Sequence, residues 1–221
     1  MNTTTRGAGV RRRAQAPPAA GDTAAVLLLT GRRLFARYGY DGTSVRAITA
    51  AAGANLGAIT YHYGSKEALY HEVLTACFKP LHNRLEAAMG ESGAAPIARI
   101  EAGVRTLFAH LAANRDLPAL MSRELAADRP APAPIRRMMQ GVLARFSAAI
   151  RAGQADGSIV PGDPALMTVS LVAQLVYIAL LRTRLRDVFG VDTTDPATER
   201  RVVDHAVGFI RRSLEPARRT P

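Results

Sequence analysis

The chain contains a single cysteine, no tryptophan and only 5% aromatic residues. One thiol, Cys77, cannot close an intramolecular bridge, so a disulfide-built fold is excluded. Cys77 reads instead as a small buried apolar residue in a reducing, cytoplasmic setting. No apolar core of signal-peptide type follows the Arg-rich start, because Ala, Pro and Gly dominate residues 14–21. The longest apolar run, residues 165–181, is short for a bilayer and carries Thr168, Ser170 and Gln174, so no membrane partner is expected. A Gly-rich phosphate loop, HExxH, CxxC and a nucleophile elbow are all missing. The five histidines are scattered without metal-ligand pairing. No catalytic residue, metal or resident cofactor is therefore expected, and the chain does not read as an enzyme. Alternating apolar and polar residues are missing too, which removes sheets and leaves an all-α fold.

What is present is positive charge and helical periodicity. Lys and Arg number 29 against 18 Asp and Glu, a net charge of +11, which calls for an anionic partner, nucleic acid or a membrane surface. Residues 1–21 combine Arg6, Arg11, Arg12 and Arg13 with Pro and Gly and read as a disordered basic tail, either an added phosphate contact or a solvated extension. From Asp22 an apolar stripe of Leu27, Leu34, Phe35 and Tyr38 runs to Gly39. Thr43 is placed to cap a second helix bearing Val45, Ile48 and Ala52, which Gly53 closes. Asn55 is placed to cap a third, short helix, and Ser65 a fourth running from Lys66 towards Met89, which Pro80 is expected to kink or divide.

Thr43 to Tyr63 thus reads as capped helix, glycine turn, capped helix, the outline of a helix-turn-helix (residues 44–63). Ala50, Ala51, Ala52, Gly53 and Ala54 supply the small residues that two crossing helices need. The stretch RRLFARYGYDGTSVRAITAAAGANLGAITYHYGSKEALYHEVL resembles the N-terminal domain of the tetracycline-repressor (TetR) family of regulators. The marks are LFARYGYDGTSVR, the Ala52-Gly53 turn, and Tyr61-His62-Tyr63 followed by Gly64-Ser65-Lys66-Glu67-Ala68-Leu69. The resemblance implies a DNA-binding domain over residues 22–68. It implies phosphate contact at Thr43 and Ser44, major-groove readout by Arg46, a recognition helix opening with Asn55, Leu56, Gly57 and Ala58, and backbone-gripping positions at Thr60, Tyr61, His62 and Lys66. Leu56, Ala58 and Thr60 depart from the family, which often has a polar residue, threonine and tyrosine there. Base hydrogen bonding from this helix is therefore expected to be sparse, with thymine-methyl contact and DNA shape contributing.

Residues 69–215 carry further amphipathic stripes, with 216–221 as a tail. Asp163-Pro164 and Asp195-Pro196 each pair an acidic cap with a proline at the first helical position. The helix after Asp163 is apolar nearly all round. Packing it, with the helix after Asp195, against the same pair of a second chain would cover both, so a homodimer is expected through Val172, Val176, Val203, Val207, Ile210 and Leu214. The family resemblance further implies a small-molecule effector in this domain. Inward stripes nominate Phe78, His82, Phe108, Met121, Met138, Met139, Phe146, Gln174 and Tyr177, each of which would serve equally as core. Arg123 and Glu124 would either orient a polar ligand or form a surface pair. The function so read is an effector-responsive repressor that binds double-stranded operator DNA. The alternatives are a sequence-tolerant basic DNA-binding protein whose second domain serves assembly, and a helical protein of membrane surfaces.

Overall fold

The computed structural model describes residues 20–90, 93–128 and 130–217, with the side chains of Ala20, Gly21 and Thr183 left aside. Ten helices follow one another in this part of the chain, with no strand: α1 Ala20–Tyr38, α2 Val45–Ala52, α3 Ala58–Tyr63, α4 Lys66–Met89, α5 Pro96–Ala113, α6 Leu117–Ala126, α7 Ala133–Ala155, α8 Pro164–Leu180, α9 Arg182–Phe189 and α10 Pro196–Leu214. The expected basic tail lies outside the described residues except for Ala20 and Gly21, which open α1. Residues 218–221 of the expected C-terminal tail lie outside them as well.

The helix ends follow from side-chain chemistry. Ser44 Oγ accepts from Ala47 N at 3.0 Å and Ser65 Oγ from Ala68 N at 3.0 Å, each satisfying an amide that a helix start leaves free. The cap of α2 is therefore Ser44 and not Thr43. Thr43 is 1% exposed, and its hydroxyl donates to the carbonyls of Gly39 (2.7 Å) and Leu34 (3.2 Å), fastening the loop to the end of α1. Asn55 does not cap α3 either. Its carbonyl accepts from Ala58 N at 3.1 Å in a turn, and Gly57 precedes the helix with no side-chain cap. Asp163 and Asp195 cap as expected, Asp163 Oδ1 accepting from Ala165 N at 2.7 Å and Asp195 Oδ2 from Thr198 N at 2.8 Å.

Helix α4 is the spine. It runs through Pro80 without a break and packs against α1 and α3 at one end and against α5 and α7 further along. Its buried face, which includes Leu69, Val73, Leu74, Leu81 and Leu85, belongs to a core continuous from Leu27 in α1 to Leu214 in α10. The short helix α9 breaks no apolar pattern and was not visible in the sequence. Arg182 holds its start, donating to Thr193 Oγ1 (3.2 Å), the Thr193 carbonyl (2.9 Å) and the Ala112 carbonyl of α5 (3.2 Å). Helix α10 lies along α5, where Arg105 pairs with Asp204 at 2.7 Å and Arg211 with Glu101 at 3.2 Å.

That placement corrects the expected dimer face. Val207, Ile210 and Leu214 are 6%, 3% and 4% exposed inside the single chain, so α10 turns that stripe towards its own core. Val203 faces a groove against α5, and Val172 and Val176 face a half-open cavity described below. The large apolar residues that α8 and α10 leave exposed are Leu166 (66% exposed), Val169 (57%), Tyr177 (62%), Leu180 (41%) and Phe209 (51%).

Candidate functional site

The head, α1 to α3 with the start of α4, is built so that one helix is held by a very small inner face. In α3 only Ala58 and Ile59 are buried, at 6% and 1% exposure. Before it, Gly53 takes φ +65°, and the Ala54 amide reaches back to the Thr49 carbonyl at 2.9 Å. A left-handed residue is what ends α2 sharply enough for α3 to cross it, and glycine adopts that conformation without a Cβ clash. Tyr63 anchors the far end, its hydroxyl donating to the Ala24 carbonyl of α1 at 2.7 Å. Burial pushes the phenol pKa up, with Glu72 adding to the effect, which keeps that hydroxyl a donor.

The residues outside this inner face are those nominated from the sequence, with exceptions. Ser44, Arg46, Asn55, Leu56, Gly57, Thr60 and Tyr61 are exposed, and His62 is half-buried. Tyr61 is 81% and Leu56 60% exposed, large apolar groups that a head of this size would cover if packing were their task. Tyr61 stands edge-on to His62, ring centroids 4.8 Å apart, which limits where the phenol can point. The Arg46 guanidinium makes no ion pair or hydrogen bond among the described residues.

Three nominated positions are turned elsewhere. Ala58 is buried and Thr43 is buried with its hydroxyl occupied, so neither side chain is offered to a ligand. Lys66 does not project freely. Its Nζ donates to the Tyr40 and Thr43 carbonyls, both at 3.0 Å, and sits 4.1 Å from the centre of the Tyr40 ring. Lys66 therefore ties the start of α4 to the loop that presents Ser44, and Tyr40 joins the site as its support. The alternation of small and charged residues in RYGYDGTS gave no sign of that tie, because it closes between residues 23 and 26 apart in sequence.

Head and body are fastened through α6. The Arg32 guanidinium grips Asp116 with Nε at 2.7 Å and Nη2 at 2.6 Å, and Nη2 also reaches Asn114 Oδ1 at 3.0 Å. Arg32 holds the Asp116 carboxyl below its ordinary range by that hydrogen bond. Arg123 Nη2 donates to the Arg37 carbonyl at 3.1 Å, and the buried Tyr70 hydroxyl donates to Glu124 at 2.7 Å. Arg123 and Glu124 are thus neither ligand-orienting groups nor a surface pair but two struts between α6 and the head.

Next to these struts lies a cavity of about 470 Å³ between α4, α5, α6, α7 and α8. Phe78, Met121, Met138, Met139 and Tyr177 line it as nominated, joined by Val172 and Val176 from the expected dimer face and by leucines of α5 and α6 such as Leu107, Leu111 and Leu117. The other nominations fall elsewhere. Phe146 is fully buried core, Phe108 belongs to the groove beside α10, and Gln174 is half-buried outside the cavity. His82 lies on the opposite side of α4, facing α7. His110, on α5, is 1% exposed with both ring nitrogens unpartnered. Burial lowers its pKa first, and the charge of Arg84 lowers it further; the Cys77 backbone pulls weakly the other way without forming a hydrogen bond of good geometry.

A short, outward-facing helix crossing the helix before it behind a glycine turn is the arrangement of a helix-turn-helix protein. The comparisons with known proteins specify the class. Residues 27–73 match the family described as bacterial regulatory proteins, tetR family, and residues 96–210 match the tetracyclin repressor-like C-terminal domain. The chain belongs to the TetR family. It is 47% identical over 49 residues to the HTH-type transcriptional repressor AcnR of Corynebacterium jeikeium (strain K411), covering 22% of this chain and 26% of that protein. It is 32% identical over 75 residues to the HTH-type transcriptional repressor DhaR of Mycobacterium sp. (strain GP1), covering 34% and 38%. The matched stretch thus spans between a quarter and two fifths of these relatives. Among solved structures, the ketosteroid transcriptional regulator KstR2 of Mycobacterium tuberculosis superposes with a TM-score of 0.69 at 19% identity, covering 92% of this chain and 98% of that one. The fatty acid degradation regulator FadR of Bacillus halodurans gives 0.69 at 17%, covering 86% and 94%. Both likenesses concern the fold. No helix among the described residues is long and apolar enough to cross a membrane.

Proposed function

We propose that the protein is an operator-specific DNA-binding regulator, a repressor that works as a homodimer and leaves DNA when a small molecule fills the body. The observation that carries the first part is the outward face of α2 and α3. Arg46 on α2 is unpaired and exposed, Asn55 and Leu56 are exposed in the turn, and Thr60 and Tyr61 are exposed on α3, whose inner face is spent on Ala58 and Ile59. In a major groove, Arg46 would read a guanine edge with two hydrogen bonds, and Leu56 would meet thymine methyls. The backbone of Gly57, with no side chain, allows close approach. Ser44 and His62 flank this face, where phosphate contacts belong.

Two heads must be held about 34–36 Å apart to read successive major grooves, and the uncovered Leu166 and Phe209, with Val169 and Tyr177 at the mouth of the cavity, supply an apolar face for the second copy. The cavity supports the effector. It abuts α4 and α6, the helices that carry the Tyr70–Glu124 strut and touch the Arg32 clamp, so a ligand that prefers one spacing of α6 and α4 shifts the spacing of the heads. Fluorescence anisotropy with duplexes from the DNA beside the protein's own gene, at two salt concentrations and with competitor DNA, tests the proposal. An inverted repeat that keeps its affinity against competitor is expected. Binding that competitor abolishes on every duplex would leave a sequence-tolerant basic protein.

A further inference from the structure

The chemical class of the effector follows from two cavities that share a wall, an inference that rests on the effector reading above. The inner chamber has no charged residue in its lining. Its buried polar group is Thr168, and that hydroxyl already donates to the Pro164 carbonyl at 2.8 Å and meets Ser147 Oγ at 3.1 Å. Gln140 and Tyr177 stand at the exposed rim. A volume of about 470 Å³ lies within the range of about 300–1,000 Å³ typical of small-molecule sites. An ion pressed against the apolar back of this half-open chamber would give up part of its water with no charged or free polar side chain there to replace it.

On the other side of Phe78, Leu81, Met138 and Val142, which line both spaces, lies a vestibule of about 270 Å³ between α4 and α7. Its rim carries Lys79, Arg137 and Arg145, with His82 beside them. Arg145 is pre-set, its Nη1 donating to the Gly141 carbonyl at 3.1 Å and its Nη2 lying 3.3 Å from His82 Nε2. Glu86 touches this group loosely, 3.7 Å from Arg145 and 3.6 Å from His82. Lys79 and Arg137 have no partner among the described residues. Gly141 keeps the space open, since a Cβ there would stand 3.3 Å from the Arg145 guanidinium and 3.7 Å from His82 Nδ1. Of the shared wall, Phe78 and Val142 are buried, whereas Met138 is half-buried and unbranched and so can swing aside.

We propose that chamber and vestibule form one site for an amphipathic anion, its hydrocarbon tail in the chamber and its anionic head on Lys79, Arg137 and Arg145. The tail replaces no polar contact, and the head meets the cations gathered beside the wall the two spaces share. Met138 is the gate between them.

Calorimetric titration of the full chain with tetradecanoate, tetradecyl phosphate and tetradecanol, each kept below its micelle concentration, tests this directly. Both anions should bind about tenfold or more tighter than the alcohol. Which anion is preferred separates a carboxylate head from a phosphate head. Within either series each added methylene should tighten binding about fourfold until the chamber is full. In K79A/R137A, which leaves Arg145 as the one remaining head cation, the preference for the anions over the alcohol should shrink, and in Val172→Phe all three should weaken. Equal binding of anion and alcohol in the unaltered chain, or an undiminished preference for anions in folded K79A/R137A, overturns the proposal. Release of operator DNA is measured in parallel. Anions that bind with the expected pattern yet leave the DNA complex intact would sink the effector reading and not the ligand class. A neutral compound that releases DNA while the anions bind no better would do the reverse.

Discussion

Lys66 offers the sharpest test of how the head is built, because a phosphate contact and an internal tie predict opposite measurements. Its ammonium donates to the Tyr40 and Thr43 carbonyls at 3.0 Å each and lies 4.1 Å from the Tyr40 ring. A hydrogen bond from a charged donor contributes about 1.5–3 kcal/mol when well protected. A cation over an exposed ring adds about 0.5–1 kcal/mol. Lys66 is half-exposed, so water replaces much of this when the charge is removed, and the net loss in Lys66→Met should be about 1–2 kcal/mol. Methionine keeps the apolar stem over Tyr40, which isolates the ammonium as the cause. For a chain of this size that loss lowers Tm by about 2–8 °C.

The effect on DNA follows from the same geometry. Without the tie, the loop bearing Ser44 is free to move, and affinity should fall on every duplex alike. The number of neutralised phosphates should not change, so the slope of log affinity against log salt should stay as it was. Loss of one phosphate contact would reduce that slope by about 0.9. Thermal unfolding together with anisotropy at several salt concentrations decides the matter. An unchanged Tm with a slope reduced by about one unit would refute the internal tie and return Lys66 to the DNA backbone.

Asp116→Asn should remove the bidentate clamp on Arg32, costing about 1 kcal/mol at neutral pH for a pair about one third exposed. Because the Asp116 carboxyl sits below its ordinary pKa in the fold, this contribution is complete above the unfolded carboxylate's range and is lost as pH falls through the folded value; thermal melts from pH 7 to pH 3 should therefore show the gap between the two proteins closing in acid. His110 is held neutral by burial, so the unfolded chain takes up a proton that the folded chain refuses, and stability should decline as pH drops below the ordinary histidine range towards the lowered folded value. Urea unfolding of His110→Leu should show that decline weakened and stability at pH 7 kept or raised by about 1–3 kcal/mol; a less stable variant with the same pH profile would mean that the imidazole is partnered after all. Phe209→Glu should halve the mass seen by light scattering while leaving a cooperative melt, whereas a charge at the buried Val207 should unfold the chain; a Phe209→Glu protein of unchanged mass would remove α10 from the interface.

The sequence was most readable where a local rule decides the outcome. Asp163 with Pro164, Asp195 with Pro196, and Ser65 before Lys66 place helix starts because an oxygen three or fewer residues from an orphan amide can hardly do anything else. Gly53 places the turn for a similar reason. Thr43 and Ser44 show the limit of that logic. Both can cap, they are adjacent, and the choice fell to Ser44 because the Thr43 hydroxyl found the Gly39 and Leu34 carbonyls of the preceding helix. The exposed face of α2 and α3 was legible through resemblance at positions such as Arg46 and Tyr61. The internal tie of Lys66 was not legible because its partners, like those of Arg32, Arg123 and Glu124, are fixed only when distant segments meet.

The body was less legible for a different physical reason. An amphipathic helix announces its inner face through its period, and Ile100, Val104, Leu107 and Leu111 of α5 all turned inward as their spacing requires. Helix α8 carries no such signal, since it is apolar nearly all round and each of its faces satisfies the same pattern. Val172 and Val176 faced the cavity, Leu171 and Leu175 the core, Leu166 the outside and Val169 the cavity's open mouth, a partition set by the neighbours α5, α6 and α7. For α10 the period was right and the inference from it was not. Val207, Ile210 and Leu214 do share one face, but α5 was available within the chain to cover it. A cavity cannot be read from the period at all, because a residue beside an empty volume and one in close-packed core obey the same alternation. What distinguishes the chamber is the missing charge in its lining against the cations gathered across the wall from it, and that contrast exists only once α4 and α7 lie side by side.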